Sequence, residues 1–422
     1  MQTKKLYSFI LENVTLRNFF LILSTSLLLA IFVRNSYLFQ FQGSNSYGLT
    51  EWLVNYEAGF VRRGLAGEIF KFFFNNFNIK VNYIVLILCV ILYLYLLFYI
   101  LIKTKKIFPK ELILSTLVMG MPIYTEFFIR KDILGIILLI TSLKILNLNI
   151  NKIQYFLIIN IFLSLCVLIN ETFIFYSFPA IILFAANKKN FSHNYLKNLI
   201  VSLTYIMPSI FVLFFIIIYH HNPEAGLILH NSYQELWILI DPKNCCIYEF
   251  GGEFKALGVN LKSELFGFFK FIYNYTFNFF MWIIIIISTF ILLLNFLENK
   301  SNDKKKIFAK ILIFQFISIL PLFIVAGDWG RWIFFWSTSS IILYLFNFNL
   351  SHNYLNFLDL IVGKILTFKI FKVKFPYWIL LLIGIPMVHY QWTLYHHFMT
   401  SPGGKFLAIV YKLYNQGLSA YF

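Results

Sequence analysis

Apolar residues in this chain fall in long runs, separated by short polar stretches rich in lysine. A hydrocarbon core about 30 Å thick takes roughly 20 apolar residues to cross as a helix. On that measure the runs predict about eleven spans, near 19–33, 83–102, 113–124, 133–146, 155–168, 173–186, 199–219, 277–297, 311–325, 333–346 and 378–389. The stretch Leu65–Phe77 is apolar and aromatic but too short to span, and it predicts a re-entrant or interfacial helix. The two runs on either side of Asn170 also read as a re-entrant pair. The expected fold class is therefore all-α, a polytopic transmembrane helix bundle of about 11 spans forming a single integral membrane domain over residues 1–422.

Lysine clusters orient the bundle. Lys4, Lys5 and Arg17 precede the first span, and further clusters fall at Lys103–Lys110, Lys144–Lys152, Lys188–Lys189, Lys300–Lys306 and Lys364–Lys374. The positive-inside trend places these segments, and the N-terminus, in the cytoplasm. No small-residue cleavage site follows the first span, which reads as a retained anchor. Two long outer loops result, 34–82 and 220–273, the second marked by turns at Asp241-Pro242 and Gly251-Gly252.

Composition agrees with a membrane protein. Of 422 residues, 60% are hydrophobic, 20% aromatic and only 13% charged, far too apolar for a soluble domain. The net charge of +17 would suit a nucleic-acid binder, but the lysines sit between apolar runs as topology signals, so no nucleic acid is expected as a partner. Cys89 and Cys166 lie within spans as packing residues. The adjacent Cys245 and Cys246 are two separate thiols or a strained vicinal pair. No Cys/His spacing fits zinc. His220, His221 and His230 read as members of a solvated loop, and neither a metal nor any other cofactor is expected.

Arginine usage is the informative departure. Six arginines, Arg17, Arg34, Arg62, Arg63, Arg130 and Arg331, stand among 35 basic residues, and the last four fall in outer loops where basic residues are disfavoured. A guanidinium stays charged and offers a planar fork to phosphate or carboxylate. Near a membrane such a charge needs a partner, and that partner is either internal or a ligand.

The stretch from Asn55 to Glu68 places Arg62-Arg63-Gly64 just before a helix, with Glu57 upstream and glycines on both sides. It reads as an anion site or as two arginines snorkelling to the head groups. Glu126 and Arg130 are one helical turn apart, which fits a salt bridge as well as a site. Asp328-Trp329-Gly330-Arg331-Trp332 combines an opposite-charge pair with two glycine-freed turns. Its tryptophans, Trp329 and Trp332, fit sugar stacking or an interfacial belt. Glu171 lies between two apolar runs, as a site carboxylate or within a capped turn. Asn170-Glu171-Thr172 also spells a glycosylation sequon.

With Trp52 upstream, Asn55-Tyr56-Glu57…Gly59-Phe60-Val61-Arg62-Arg63-Gly64 and Asp328-Trp329-Gly330-Arg331-Trp332 resemble motifs of bacterial O-antigen and capsular polysaccharide repeat-unit polymerases, the Wzy-type and EpsG-like integral membrane glycosyltransferases. The resemblance implies a GT-C-like bundle in the inner membrane, with its site built by periplasmic loops. The implied substrate is an oligosaccharide on undecaprenyl pyrophosphate, with membrane lipids and a chain-length regulator protein as further partners. It carries pyrophosphate binding onto Arg62, Arg63 and Arg331, with Arg130 beside them, and makes Glu57, Glu171 and Asp328 candidate bases. Two alternatives stay open: a GT-C glycosyltransferase using a polyprenyl-phosphate sugar, and a flippase or transporter for the same lipid-linked glycan. The first is weakened because the first outer loop carries Glu51 and Glu57 but no tight acidic pair.

Overall fold

The computed structural model describes residues 14–43, 46–77, 80–125, 127–148, 151–189, 195–219, 224–240, 251–257, 259, 261–297, 302–347, 356–367, 375–388 and 394–416. Among these residues the chain is about 80% helix and contains no strand. Four helices are long and apolar enough to cross a membrane: Arg17–Phe39, Val81–Thr104, Thr276–Asn295 and Asn302–Val325. A fifth span results if Lys197–Thr204 and Ile206–Ile218, bent by 57°, are taken as one. At 1.5 Å per residue the 24 residues of Val81–Thr104 reach about 36 Å, enough for the hydrocarbon core. That helix leaves Ile87, Ile91, Phe98 and Ile102 exposed while burying Val85, Cys89, Tyr93, Leu96 and Ile100. One face meets protein and the other suits lipid.

Two of the remaining apolar runs break where the sequence pattern expects a continuous helix, for local reasons. The run at 113–124 breaks into Lys110–Leu114 and Met121–Tyr124, five and four residues long. Ser115 caps the first piece by bonding the Leu112 carbonyl, and Pro122 opens the second. The run at 378–389 holds only the four-residue helix Ile379–Leu382, because Gly384 and Pro386 follow. Asp132–Leu146 has 15 residues, about 22 Å, so it crosses no full bilayer by itself.

The chain divides into two compact units. One comprises Ser36–Leu96 and Phe127–Phe266. Its body is a set of apolar helices, Asp132–Leu146, Lys152–Ile169, Phe173–Lys189 and Tyr195–Tyr219, packed on one another. Polar contacts fix their register: Ser209 donates to Asn160 Oδ1 at 3.2 Å, joining the second of these helices to the fourth. Against this body lie Tyr47–Leu53, Gly64–Phe77 and the short helices of the 220–273 loop, among them Ala225–Asn231 and Gly252–Ala256. Gly67 allows the tightest approach. A Cβ there would sit 1.8 Å from the Val54 carbonyl oxygen, so no larger residue fits between these helices.

The other unit comprises Met1–Asn35, Leu97–Glu126 and Gly267–Phe422. Its centre is Trp329–Leu345, buried from Trp329 through Leu343 and packed along Asn302–Val325. Trp336 donates to the Leu312 carbonyl at 2.7 Å across that pair. Arg17 forms an ion pair with Glu111 at 2.7 Å in the same unit.

Candidate functional site

The turn from Asn55 to Arg63 is shaped by its own polar atoms. The Asn55 side chain accepts from the Glu57 N–H at 2.9 Å, and Glu68 reaches back to accept from the Tyr56 N–H at 3.0 Å. Gly59 takes φ 89° and closes the turn. Arg63 itself has φ 63°, a left-handed backbone that costs a non-glycine residue about 1 kcal/mol or more. The helix Gly64–Phe77 begins at the next residue. The strain aims the Arg63 side chain inward, where it is 8% exposed.

There it meets three carboxylates from three separate segments of the chain. Arg63 Nε donates to Glu171 at 2.9 and 3.0 Å, and its NH2 donates to the same carboxylate at 2.7 Å. Its NH1 lies 3.3 Å from Glu51 and 3.0 Å from Glu253. Glu51 is wholly buried, and its second oxygen accepts from Arg130 Nε at 2.9 Å. Lys131, also wholly buried, donates to the Arg63 carbonyl at 3.0 Å and to the Ile169 carbonyl at 3.4 Å. Trp52 lies under the Lys131 ammonium, and its own N–H is held by the Ile129 carbonyl. Arg62, Arg63, Arg130 and Lys131 thus stand against Glu51, Glu171 and Glu253. Most of this cluster is closed to solvent.

Arg62 differs from its neighbour. Its side chain is 23% exposed, and it donates to the Ala256 carbonyl at 2.9 Å. It lies 3.8 Å from Glu171 and 3.5 Å from Glu253, and its buried Nε has no hydrogen-bond partner. Glu171 is 17% exposed. The rim of the cluster is therefore the Arg62–Glu171 pair. Beside it, the Asn170 side chain accepts from the Thr172 N–H at 3.1 Å and from the Thr172 hydroxyl at 2.8 Å. The turn is capped, and the sequon asparagine is 1% exposed.

Electrostatics follow from this packing. Burial by itself would push the Glu171 carboxyl up, but the Arg63 and Arg62 guanidiniums outweigh it and hold the group down at about 2. Burial disfavours the charge on Arg63 too, yet Glu171, Glu253 and Glu51 hold its pKa well above the ordinary value. Lys131 goes the other way. Burial lowers it to about 8, only partly opposed by Glu51, with Arg63 adding to the depression.

The other expected site residues have different surroundings. Glu57 points outward and pairs with Lys71 of the Gly64–Phe77 helix. Burial would raise its pKa, but Lys71 and the Ser232 hydroxyl bring it below the ordinary value. Arg130 engages Glu51, whereas its expected partner Glu126 lies outside the described residues, as do Cys245, Cys246, His220 and His221. His230 stacks on Trp237 at 5.9 Å. Cys89 and Cys166 are buried thiols, as packing residues should be.

In the other unit, Asp328 and Arg331 form an ion pair one turn apart. Trp329 is 3% exposed and ringed by Phe268, Phe271, Phe279, Trp282 and Phe323. Trp332 is 2% exposed and stacks on Phe335. Both tryptophans are core residues whose faces are already covered, which corrects the expectation that they present a sugar platform. Gly330 is needed for close approach and not for an unusual φ. A Cβ there would lie 2.2 Å from the Pro386 carbonyl oxygen, and its N–H bonds the Met387 carbonyl at 3.0 Å.

Sequence reasoning missed Glu51, Lys131 and Glu253. Lys131 carries the same signal as Arg130, a cation in an outer loop, but lysine is too common in this chain to stand out. Glu51 and Glu253 give no local signal, because their role depends on distant segments meeting Arg63.

Fold and site together define an all-helical protein with membrane-length helices and a buried arginine–glutamate cluster. No family model, curated protein or solved structure matches the chain.

Proposed function

We propose that this protein is a bacterial inner-membrane glycosyltransferase that polymerises oligosaccharide repeat units carried on a polyprenyl pyrophosphate, working at the outer face in a GT-C-like bundle. The observation that carries the reading is the division between the two adjacent arginines. Arg63 is saturated by protein carboxylates, whereas Arg62 is partly exposed with an unpartnered Nε. A phosphate oxygen at the rim would meet the exposed part of the Arg62 side chain, and a charge-assisted bond of this kind contributes roughly 1.5 to 3 kcal/mol.

In the reaction, the bond between the sugar C1 and the pyrophosphate oxygen breaks and a bond to an acceptor hydroxyl oxygen forms. The acceptor proton goes to a base, and the negative charge leaves on the lipid pyrophosphate, where guanidinium groups stabilise it. Arg62 is the residue assigned to that charge, and Arg63 is a positioning residue that holds the loop. Glu171, kept ionised by its arginines, is a weak base and orients Arg62. Glu57 remains a candidate base, engaged by Lys71, which the acceptor would displace. A chain-length regulator is the proposed protein partner.

The test is glycan chain length in a deletion strain of the host, complemented with parent, Arg62→Ala or Arg62→Lys. Arg62→Ala at normal membrane abundance should leave glycans of a single repeat unit, and Arg62→Lys should recover some of the length. Long chains with Arg62→Ala would refute the assignment. A flippase is the second reading, favoured by the 57° break within residues 197–218 and by the buried charges. It predicts that no repeat unit reaches the outer face.

A further inference from the structure

We propose that the cavity between the Thr276–Asn295 helix and the 375–383 segment binds one hydrocarbon chain of a bilayer lipid. The cavity encloses about 300 Å³, far more than a single displaced side chain leaves. Apolar side chains such as Ile284, Leu292, Ile379 and Ile383 line it. Its polar contributors are Ser288, Thr289 and His397, and none of them carries a charge. Burial pushes the His397 imidazole down to about 4, so it is neutral at ordinary pH. Water gains little in such a space, because each buried molecule needs two to four polar partners. A vacant space forfeits dispersion contacts on every wall. Hydrocarbon is the filling that matches the lining.

The neighbouring surface identifies the source. Thr276–Asn295 is one of the four helices of membrane length. On it, Phe277, Phe280, Ile284 and Ile287 are all more than half exposed, and their spacing puts them on one helical face. Ile284 belongs both to that stripe and to the cavity wall. A chain lying along the lipid-facing stripe therefore enters the cavity without crossing a polar barrier. The phosphate head group stays outside, since nothing in the lining would neutralise it.

This proposal stands apart from the glycosyl-transfer reading, because its test needs no glycan. The full-length protein is reconstituted in phosphatidylethanolamine–phosphatidylglycerol vesicles containing a trace of phospholipid with a mid-chain diazirine. After illumination, cross-links should concentrate on 281–292 and 375–383, and one phospholipid per chain should survive detergent extraction in native mass spectrometry. Ser288→Trp fills the space and should abolish both signals. Ile284→Trp does the same from the mouth if the first variant fails to fold. Labelling spread equally over the exposed face of Val81–Thr104, or unchanged in a folded filled variant, would overturn the proposal. So would displacement of the probe by polyprenyl phosphate at concentrations where unlabelled phospholipid has no effect, which would assign the cavity to an isoprenoid chain.

Discussion

Replacing Arg63 by alanine should destabilise the protein more than any other single change at the charge cluster. The guanidinium makes three hydrogen bonds to Glu171 and lies within 3.3 Å of Glu51 and Glu253, two carboxylates almost wholly shut off from solvent. Removing one partner of a buried ion pair leaves an uncompensated charge and costs about 3–5 kcal/mol. Alanine retains the left-handed backbone strain, so nothing is regained there. Total stabilities are roughly 5–15 kcal/mol, so the loss is a large share. At roughly 2–4 °C per kcal/mol, the melting temperature of the detergent-solubilised protein should fall by about 10 °C. Arg63→Lys keeps the charge but loses the fork, and should melt in between. In a double-mutant cycle, Arg63→Ala and Glu171→Ala should be strongly non-additive, because each removes the same contact. An Arg63→Ala melting temperature within about 2 °C of the parent would refute the reasoning, since no buried ion pair worth about 1 kcal/mol would then exist.

Four further outcomes are expected. Between about pH 4.5 and 2 the unfolded Glu171 carboxyl binds a proton that the folded one refuses, so acidification through that window should lower the melting temperature, and Glu171→Gln should flatten the response. Lys131 acts at the other end: between about pH 8 and 10.5 the unfolded chain keeps a proton the folded chain has released, so stability should rise with pH there and Lys131→Met should remove the rise. Gly67→Ala forces a methyl against the Val54 carbonyl and should cost about 3 kcal/mol, the upper end for overpacking, seen as loss of folded protein in membranes. Trp329→Ala should also cost about 3–5 kcal/mol through the cavity it leaves. Any fall in its glycan output should track membrane abundance, whereas a sugar-stacking role would lower output at normal abundance.

The sequence by itself determined the solvent of this protein and the class of its elements. Long apolar runs cannot satisfy their backbone in hydrocarbon except as helices, so an all-helical membrane chain was legible from composition and run length alone. The turn before Gly64 was legible too, because Asn55, Gly59 and Glu68 act over short separations. What only the tertiary structure decided is which charges meet. Arg63 was visible as an oddity in its loop, but Glu51, Glu171 and Glu253 lie 12, 108 and 190 residues from it, and nothing local marks them as its partners. Burial was equally hidden: Trp329 and Trp332 have the composition of an interfacial belt and the surroundings of a core. Run length, finally, does not show where helices break: Ser115, Gly384 and Pro386 end helices and Pro122 opens one inside apolar stretches that hydropathy reads as continuous. A hydrogen bond or a ring closure acts at one residue, while hydropathy averages over many, and distant ion pairs are fixed by neither until the chain has folded.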